Sequence, residues 1–197
     1  MTPFSEHLVD RFRDTFPDDV IEVVEFRGDY TFIVKKERIL EILQFLKDEP
    51  DYDFDLLADV TCVDYLKLGG TPRFHVVYQL KSIAKKHRLG VKAPVSESDC
   101  TIDSVESLWA TANWLEREVY DLYGIVFNHH SDLRRILMPD GYEGHPLRKD
   151  YPLEGRGERD DLEVLQRIAN QLPDDILMVE TESVKRGKEN PDGADVI

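Results

Sequence analysis

The 197-residue chain carries 25 Lys and Arg against 40 Asp and Glu, a formal net charge of −15. This charge repels phosphate backbones and anionic lipid headgroups, which argues against nucleic-acid binding and direct electrostatic docking on a membrane. The chain shows neither the long apolar run of a membrane-spanning helix nor, at residues 1–7, the layout of a secretory signal. We therefore expect a globular cytoplasmic protein that associates with a membrane only through another protein.

The first third of the chain predicts a hairpin followed by a helix. Two β-rich runs, residues 20–26 and 30–34, flank a Gly- and Asp-containing turn at 27–29. In residues 36–47 the apolar side chains recur every three or four positions, as on one face of a helix. Pro50 ends this helix.

A second group of β-rich runs follows. Residues 54–65 and 73–80 are typical of two paired strands, joined by a Gly- and Pro-containing turn at 69–72. A third run, residues 87–93, alternates less regularly and carries charges that suit an outer strand. We expect this third run at the edge of the sheet.

The clearest helical pattern begins at Asp103. Asp103 and Glu106 resemble a capping box, and Gly124 supplies the C-terminal stop. Between them lies one apolar stripe, formed by Leu108, Ala112, Leu115, Val119 and Leu122. The combined patterns predict an α+β fold, a two-layer domain with helices on one face of a mainly antiparallel sheet.

Residues 128–153 show no periodicity. Pro and Gly interrupt the stretch, and its apolar residues are interleaved with Arg134, Arg135, Arg148 and Lys149. Stretches of this length are either functional or disordered, and the apolar content favours an extended segment that lies along a surface. We predict an α+β core domain at 1–127, a partner-wrapping segment at 128–153, and an acidic C-terminal region at 154–197. In that last region we expect a short helix at 162–172 and a flexible tail.

No motif indicates a catalytic or cofactor site. Cys62 and Cys100 are too few for an iron–sulfur cluster and do not form a CxxC pair. The chain has no Walker, dinucleotide-binding or Gly-x-Ser-x-Gly pattern. A metal site at His129, His130 and His145 stays an alternative, although adjacent histidines rarely bind one ion.

The charged residues of the last helix allow three interpretations. Glu116, Arg117, Glu118 and Asp121 lie on its polar side, where Arg117 and Asp121 are spaced to form a pair. They form either a solvated helix face or a docking face whose partner supplies the counter-charges. A general acid/base pair is the third interpretation, and no nucleophile is implied nearby.

Two long motifs carry a resemblance to a known family. Residues 113–125 read Asn-Trp-Leu-Glu-Arg-Glu-Val-Tyr-Asp-Leu-Tyr-Gly-Ile, and residues 143–153 read Glu-Gly-His-Pro-Leu-Arg-Lys-Asp-Tyr-Pro-Leu. They resemble the signatures of the C subunit (30 kDa subunit) family of respiratory complex I. The resemblance covers about residues 20–153. His129-His130-Ser131 departs from it, since the family usually has Gly-His-Pro there.

The resemblance implies a domain in the hydrophilic arm of the proton-pumping NADH:quinone oxidoreductase, peripheral on the cytoplasmic side of a bacterial membrane. It implies a component without its own cofactor, because FMN, iron–sulfur clusters and quinone bind to other subunits. The implied partners are the D subunit, which frames the quinone site with the B subunit, and other hydrophilic-arm subunits. The expected interface residues are Glu116, Arg117, Glu118, Asp121, His130, Arg134, Arg135, His145, Pro146, Arg148, Lys149, Asp150 and Tyr151.

Two alternatives remain open. Membrane-bound hydrogenase and ferredoxin-linked complexes contain relatives with similar Glu-Arg-Glu and Gly-His-Pro stretches. A freestanding metalloenzyme that uses the three histidines would belong to a different class of protein.

Overall fold

A computed structural model describes residues 6–139, 141–153 and 155–156. Its helices are α1 (Glu6–Thr15), α2 (Ile39–Asp48) and α3 (Ala112–Tyr123). Its strands are β1 (Val20–Phe26), β2 (Asp29–Val34), β3 (Leu56–Asp64), β4 (Phe74–Lys81), β5 (Arg88–Val95), β6 (Thr101–Asp103) and β7 (Val126–Asn128). Short 3₁₀ turns lie at Lys36–Arg38 and Leu66–Leu68.

The main sheet has five strands in the order β1-β2-β5-β4-β3. β1 and β2 form the predicted hairpin, and the turn residues Arg27 and Gly28 both have positive φ, as a type I′ turn requires. The predicted pairing of β3 with β4 is antiparallel. The two-layer α+β prediction is therefore confirmed.

The expected edge position of the third β run is wrong. Strand β5 is the central strand, antiparallel to β4 and parallel to β2. Its alternate residues Leu89, Val91, Ala93 and Val95 are buried in the core, while Arg88 and Lys92 occupy the other face. Charges confined to one face of a strand therefore do not indicate the edge of a sheet.

One face of the sheet packs against the helices. Phe12 of α1 stacks on Phe32 of β2 with ring centroids 4.3 Å apart, and α2 buries Ile42 and Leu46 in the same cluster. Helix α1 is absent from the sequence-based prediction, and its ten residues bury only Val9 and Phe12. Burial of each such aromatic ring stabilises the fold by on the order of 2 kcal/mol.

Helix α3 is shorter than predicted. It begins at Ala112 rather than Asp103, which belongs to strand β6. Glu106 accepts hydrogen bonds from Ser131 instead of closing a capping box. The predicted stop at Gly124 is confirmed, since this residue has φ +75° and caps the helix.

The described residues from Glu6 to Pro152 lie in one compact unit. The short helix expected at 162–172 and the flexible tail lie outside the described residues, and the predicted domain boundaries stay predictions. Across the described ranges, every helix is too short or too polar to cross a membrane.

Candidate functional site

The segment that follows β7 is irregular but firmly attached. Residues 129–152, here called the anchored segment, form neither helix nor strand at the positions described, which omit Asp140. The segment runs back along α3 and reaches the ends of β3 and β4. Buried acids on the core side hold it at two points.

Asp121 of α3 is the first attachment point. Its side chain is fully buried, and one oxygen accepts N–H bonds from Ile136, Leu137 and Met138 at 3.1, 2.8 and 2.8 Å. The other oxygen accepts a 2.7 Å bond from the Arg135 guanidinium. Burial acts to raise the pKa of Asp121, but these donors outweigh it and hold the pKa below its usual value.

Two further side chains of the segment bind the end of α3. His145 Nδ1 donates to the carbonyl of Asp121 at 2.9 Å, and Arg148 Nε donates to the carbonyl of Tyr123 at 2.6 Å. Gly124 permits this approach, because a Cβ there would lie 2.5 Å from His145 Nε2 and 2.8 Å from Arg148. Burial is the main cause that lowers the pKa of His145, so the ring is neutral at pH 7.

Asp64, at the end of β3, is the second attachment point. Arg73 donates to it at 2.9 and 3.1 Å, and the backbone N–H of Lys149 donates at 2.8 Å. Arg73 also bridges to Asp150 at 2.6 Å and Glu97 at 2.5 Å. Burial acts to raise the pKa of Asp64, but these donors outweigh it and lower the pKa to about 2.

Glu116 occupies a buried polar site on the other side of α3. It is fully buried and accepts bonds from the Ser104 hydroxyl at 2.6 Å and the Val105 N–H at 2.8 Å. Burial raises the pKa of Glu116 to about 7. His130 Nε2 lies 4.0 Å away, and its proton points to the carbonyl of Asn113, which accepts at 3.1 Å.

The interpretation of the charged helix face as solvated is wrong. Glu116, Arg117 and Asp121 are buried, and only Glu118 of the four is exposed. The expected Arg117–Asp121 pair is also wrong, because Asp121 pairs with Arg135. Arg117 instead donates to the carbonyls of Arg134 and Arg135 at 3.2 and 3.5 Å. The anchored segment covers this face, which helical periodicity alone does not reveal.

A set of side chains points away from these attachments. Trp114 exposes 63% of its surface, Leu137 56% and Leu147 43%. Arg134 and Lys149 are exposed, and Arg134 pairs only with its neighbour Asp132 at 2.9 Å among the described residues. We call Trp114, Arg134, Leu137, Leu147 and Lys149 the outward set.

The remaining expected interface residues are partly covered. Pro146 and Tyr151 are half-buried, and the Tyr151 hydroxyl lies 2.6 Å from that of Tyr142. Asp150 is exposed although it pairs with Arg73. Asp64 and Arg73 are not among the residues predicted from the sequence. The sequence does contain a signal for this pair, because an acid lies near the end of one predicted apolar strand and a base begins the next.

Two of the three histidines considered as metal ligands, His130 and His145, bind different backbone carbonyls. These carbonyls belong to Asn113 and Asp121, and the described part of the chain brings no three His, Cys, Asp or Glu residues together as metal ligands. Burial raises the pKa of the Cys62 thiol to about 12, which disfavours the thiolate that metals and clusters bind.

Comparisons with known proteins place this geometry in context. Residues 32–157 match the family model described as respiratory-chain NADH dehydrogenase, 30 Kd subunit. The C subunit of NADH-quinone oxidoreductase from Geotalea uraniireducens is 58% identical over 77% of this chain and 90% of its own length. The corresponding C subunit from Legionella pneumophila is 37% identical over 78% of this chain and 80% of its own length.

Two solved structures share the fold. A trypsin-resistant fragment of Nqo5 is 34% identical with a TM-score of 0.57, over 65% of this chain and 98% of the fragment. An archaeal membrane-bound sulfane sulfur reductase has a TM-score of 0.63 over 75% of this chain and 85% of its own. At 22% identity, this second likeness concerns the fold alone.

Replacing Asp121 with Ala should release the anchored segment. The change leaves three N–H groups and Arg135 without their buried acceptor, so the free energy of unfolding should fall by about 3 kcal/mol. The amides of residues 136–138 should exchange hydrogen at least about 100-fold faster, by the usual 1.4 kcal/mol per tenfold. Glu118→Ala on the exposed side of α3 is the matched control. Unchanged exchange at residues 136–138 would contradict the assignment.

Replacing Glu116 with Gln should alter the pH dependence of stability. Because the pKa of Glu116 rises from 4.5 to about 7 on folding, the folded state binds more protons between these pH values. The free energy of unfolding therefore falls across this window as pH rises, by about 3 kcal/mol in total. Gln carries no titrating charge; its oxygen can still accept from the Val105 N–H, while its NH2 group would have to donate to the Ser104 hydroxyl oxygen. Urea unfolding should therefore show this loss in the wild type only. Parallel pH profiles for both proteins would refute it.

Proposed function

Because this chain belongs to the 30 kDa subunit family of the respiratory-chain NADH dehydrogenase, we propose that it is the C subunit of a bacterial proton-translocating NADH:quinone oxidoreductase. In this proposal it docks on the D subunit near the quinone-site region and supports assembly of the path from NADH to quinone. The relatives of similar length carry the name of that enzyme's C subunit. Membership in the family makes the chain one component of a multisubunit complex.

The anchored segment is the observation that carries the docking proposal. We expect this irregular stretch to hold one conformation, because Asp121 and Asp64 accept hydrogen bonds from its backbone N–H groups. A surface that is already ordered loses little conformational entropy on binding. Trp114, Leu137 and Leu147 are exposed on this ordered frame, and large apolar and aromatic anchors of this kind dominate protein interfaces.

Only some of the basic side chains of the anchored segment are exposed enough to pair with the D subunit in this proposal. Arg135 and Arg148 bind Asp121 and the carbonyl of Tyr123 within the chain, so they fix the shape of the segment. Arg134 and Lys149 are exposed and are the residues we propose to pair with acids of the D subunit. Asp150 likewise forms a salt bridge with Arg73 within the chain, so we assign it to fixing the shape of the segment rather than to pairing with the D subunit.

We propose that the chain itself performs no redox chemistry, with FMN, iron–sulfur clusters and quinone held by other subunits. An iron–sulfur cluster usually needs four thiolates, whereas this chain has two cysteines. The buried Cys62, with its raised pKa, is a poor ligand. Glu116 is buried with its hydrogen bonds satisfied by Ser104 and Val105, which suits a structural role better than a general base.

The proposed location is peripheral, on the cytoplasmic side of the bacterial membrane and attached through the complex. The chain's net charge of −15 disfavours direct contact with anionic lipids, so the D and B subunits and the rest of the hydrophilic arm would provide the attachment. A hydrogenase-type complex is the weaker alternative, because the relatives named above belong to NADH-quinone oxidoreductases.

Polar substitution of the apolar anchors should block assembly. We expect Leu137→Asp combined with Leu147→Asp to reduce co-purification of the D subunit at least about tenfold, since truncating one anchor often costs 2 kcal/mol or more. The measurement is affinity purification of the tagged chain from mild-detergent membranes, with the co-purifying proteins quantified by mass spectrometry. Ile83→Asp, a similarly exposed residue just beyond the end of β4, is the matched control.

A second pair of variants tests the charges separately. Arg134→Glu with Lys149→Glu should weaken recovery of the D subunit and make it more sensitive to salt. Arg13→Glu on the exposed side of α1 should leave recovery unchanged. Full recovery of the D subunit with both the apolar and the charge variants would overturn the docking proposal, while recovery of hydrogenase subunits would assign the chain to the alternative complex.

A further inference from the structure

The second face of the five-stranded sheet carries its own ordered pattern. Strand register aligns five side chains in one row, in which Thr61 lies opposite Val77, Val77 opposite Lys92, Lys92 opposite Ile33, and Ile33 opposite Glu22. Because side chains alternate between the faces of a sheet, these five point away from the helices. We call this surface the open face.

Two more rows flank this one, and a further row of Leu56, Lys81 and Arg88 lies at the end of the face, where Arg88 pairs with Asp29. One flanking row contains Val63, His75 and Pro94, and the other contains Asp59, Gln79, Gly90, Thr31 and Val24. Apolar side chains therefore occupy positions on all five strands of a face that the described helices do not cover. Val77 exposes only 5% of its surface yet lies outside the core cluster.

Lys92 lies at the centre of this face. It is half-buried between Val77 and Ile33, and among the described residues it forms no salt bridge or hydrogen bond. The acids of the three rows, Glu22 and Asp59, lie on the outermost strands β1 and β3. Lys92 is thus the single cation of these rows, surrounded by apolar neighbours.

His75 does not supply a counter-charge. It is half-buried on the adjacent row, and burial followed by the nearby Lys92 lowers the pKa of its ring. The imidazole is therefore neutral at pH 7. A surface that covered Lys92 without an acid would bury an uncompensated charge, at a cost of several kcal/mol.

We propose that the open face is a second docking surface, for a protein partner that presents apolar side chains around one carboxylate opposite Lys92. Four interstrand spacings of about 4.8 Å make the face about 19 Å wide, which matches two packed helices. A second copy of this chain fits poorly, because face-to-face stacking about the centre brings Lys92 against Lys92. Two chains of charge −15 each also repel.

The open face and the anchored segment serve different partners. The segment binds Asp64 and lies against Phe74 through Arg148, and both residues lie at the core side of the sheet with Cys62 and Val76. A partner bound at the segment therefore leaves the open face accessible. In this arrangement the chain lies between two neighbours, as a spacer with one ordered surface toward each.

The test uses a photo-crosslinking amino acid in the full chain, expressed in cells that assemble the complex. Placed at Thr61, it should crosslink one neighbouring chain, and Lys92→Glu should lower that yield at least about 10-fold because two carboxylates then face each other. Lys92→Met, which keeps the apolar stem, should lower it less. Arg13→Glu on α1 is the control, and thermal unfolding of each variant reports folding.

The decisive step is rescue. The crosslinked peptide identifies the neighbouring acids, and changing the correct acid to Lys should restore the crosslink in the Lys92→Glu background. Three results would each overturn the proposal. They are a crosslink yield that Lys92→Glu does not change, a crosslink to a second copy of the chain, and the absence of any crosslink from Thr61. A photo-crosslinker at Leu137 in the same cells reports the anchored segment, so the two proposals fail independently.

Discussion

The buried carboxylate of Asp121 determines the path of the anchored segment, the surface that we propose for docking. A buried charge must be compensated, and the chain does so with three successive backbone N–H groups and the guanidinium of Arg135. Because those donors all belong to residues 135–138, compensation of one charge fixes the path of the following segment. Asp64 repeats the principle with Arg73 and the N–H of Lys149. Several charged side chains that the sequence predicts to face a partner thus bind within the chain and fix the path of the anchored segment.

This arrangement explains why apolar side chains of the segment are exposed while the charged side chain of Asp121 is buried. Between the two attachment points the backbone faces inward to reach its acceptors, so the side chains of Leu137 and Leu147 are left outside. Arg117 of α3 also holds the segment, because its guanidinium donates to the carbonyls of Arg134 and Arg135. The same guanidinium lies 5.1 Å from the centre of the Trp114 ring. The exposed indole is held by a buried cation, which limits the freedom it would lose on binding.

Local signals in the sequence were sufficient for the hairpin, α2, the β3–β4 pair and the Gly124 stop. Each depends on neighbours within a few residues. The position of β5 depends on pairing with β2, about 60 residues earlier in the chain, and nothing local to residues 88–95 indicates it. Burial of Glu116 and Asp121 was missed for the same reason, because the segment that covers them comes later. The signature motifs drew attention to this part of the chain, but only the structure separates Arg135, which binds Asp121, from Arg134, which is exposed.

The distribution of charge links the two proposed surfaces. Residues 129–152 contain four basic and four acidic residues, whereas the whole chain carries −15. The three central rows of the open face carry the cation Lys92 and the acids Glu22 and Asp59, and at the end of the face Lys81 and Arg88 lie with Asp29. Both surfaces are therefore close to neutral on a molecule that is elsewhere strongly acidic. Repulsion from the acidic remainder discourages acidic neighbours from binding in other orientations, and the neutral surfaces are left for apolar contact. If both proposals hold, the acids disfavour wrong orientations and the apolar side chains provide the contact area, so both contribute to specificity.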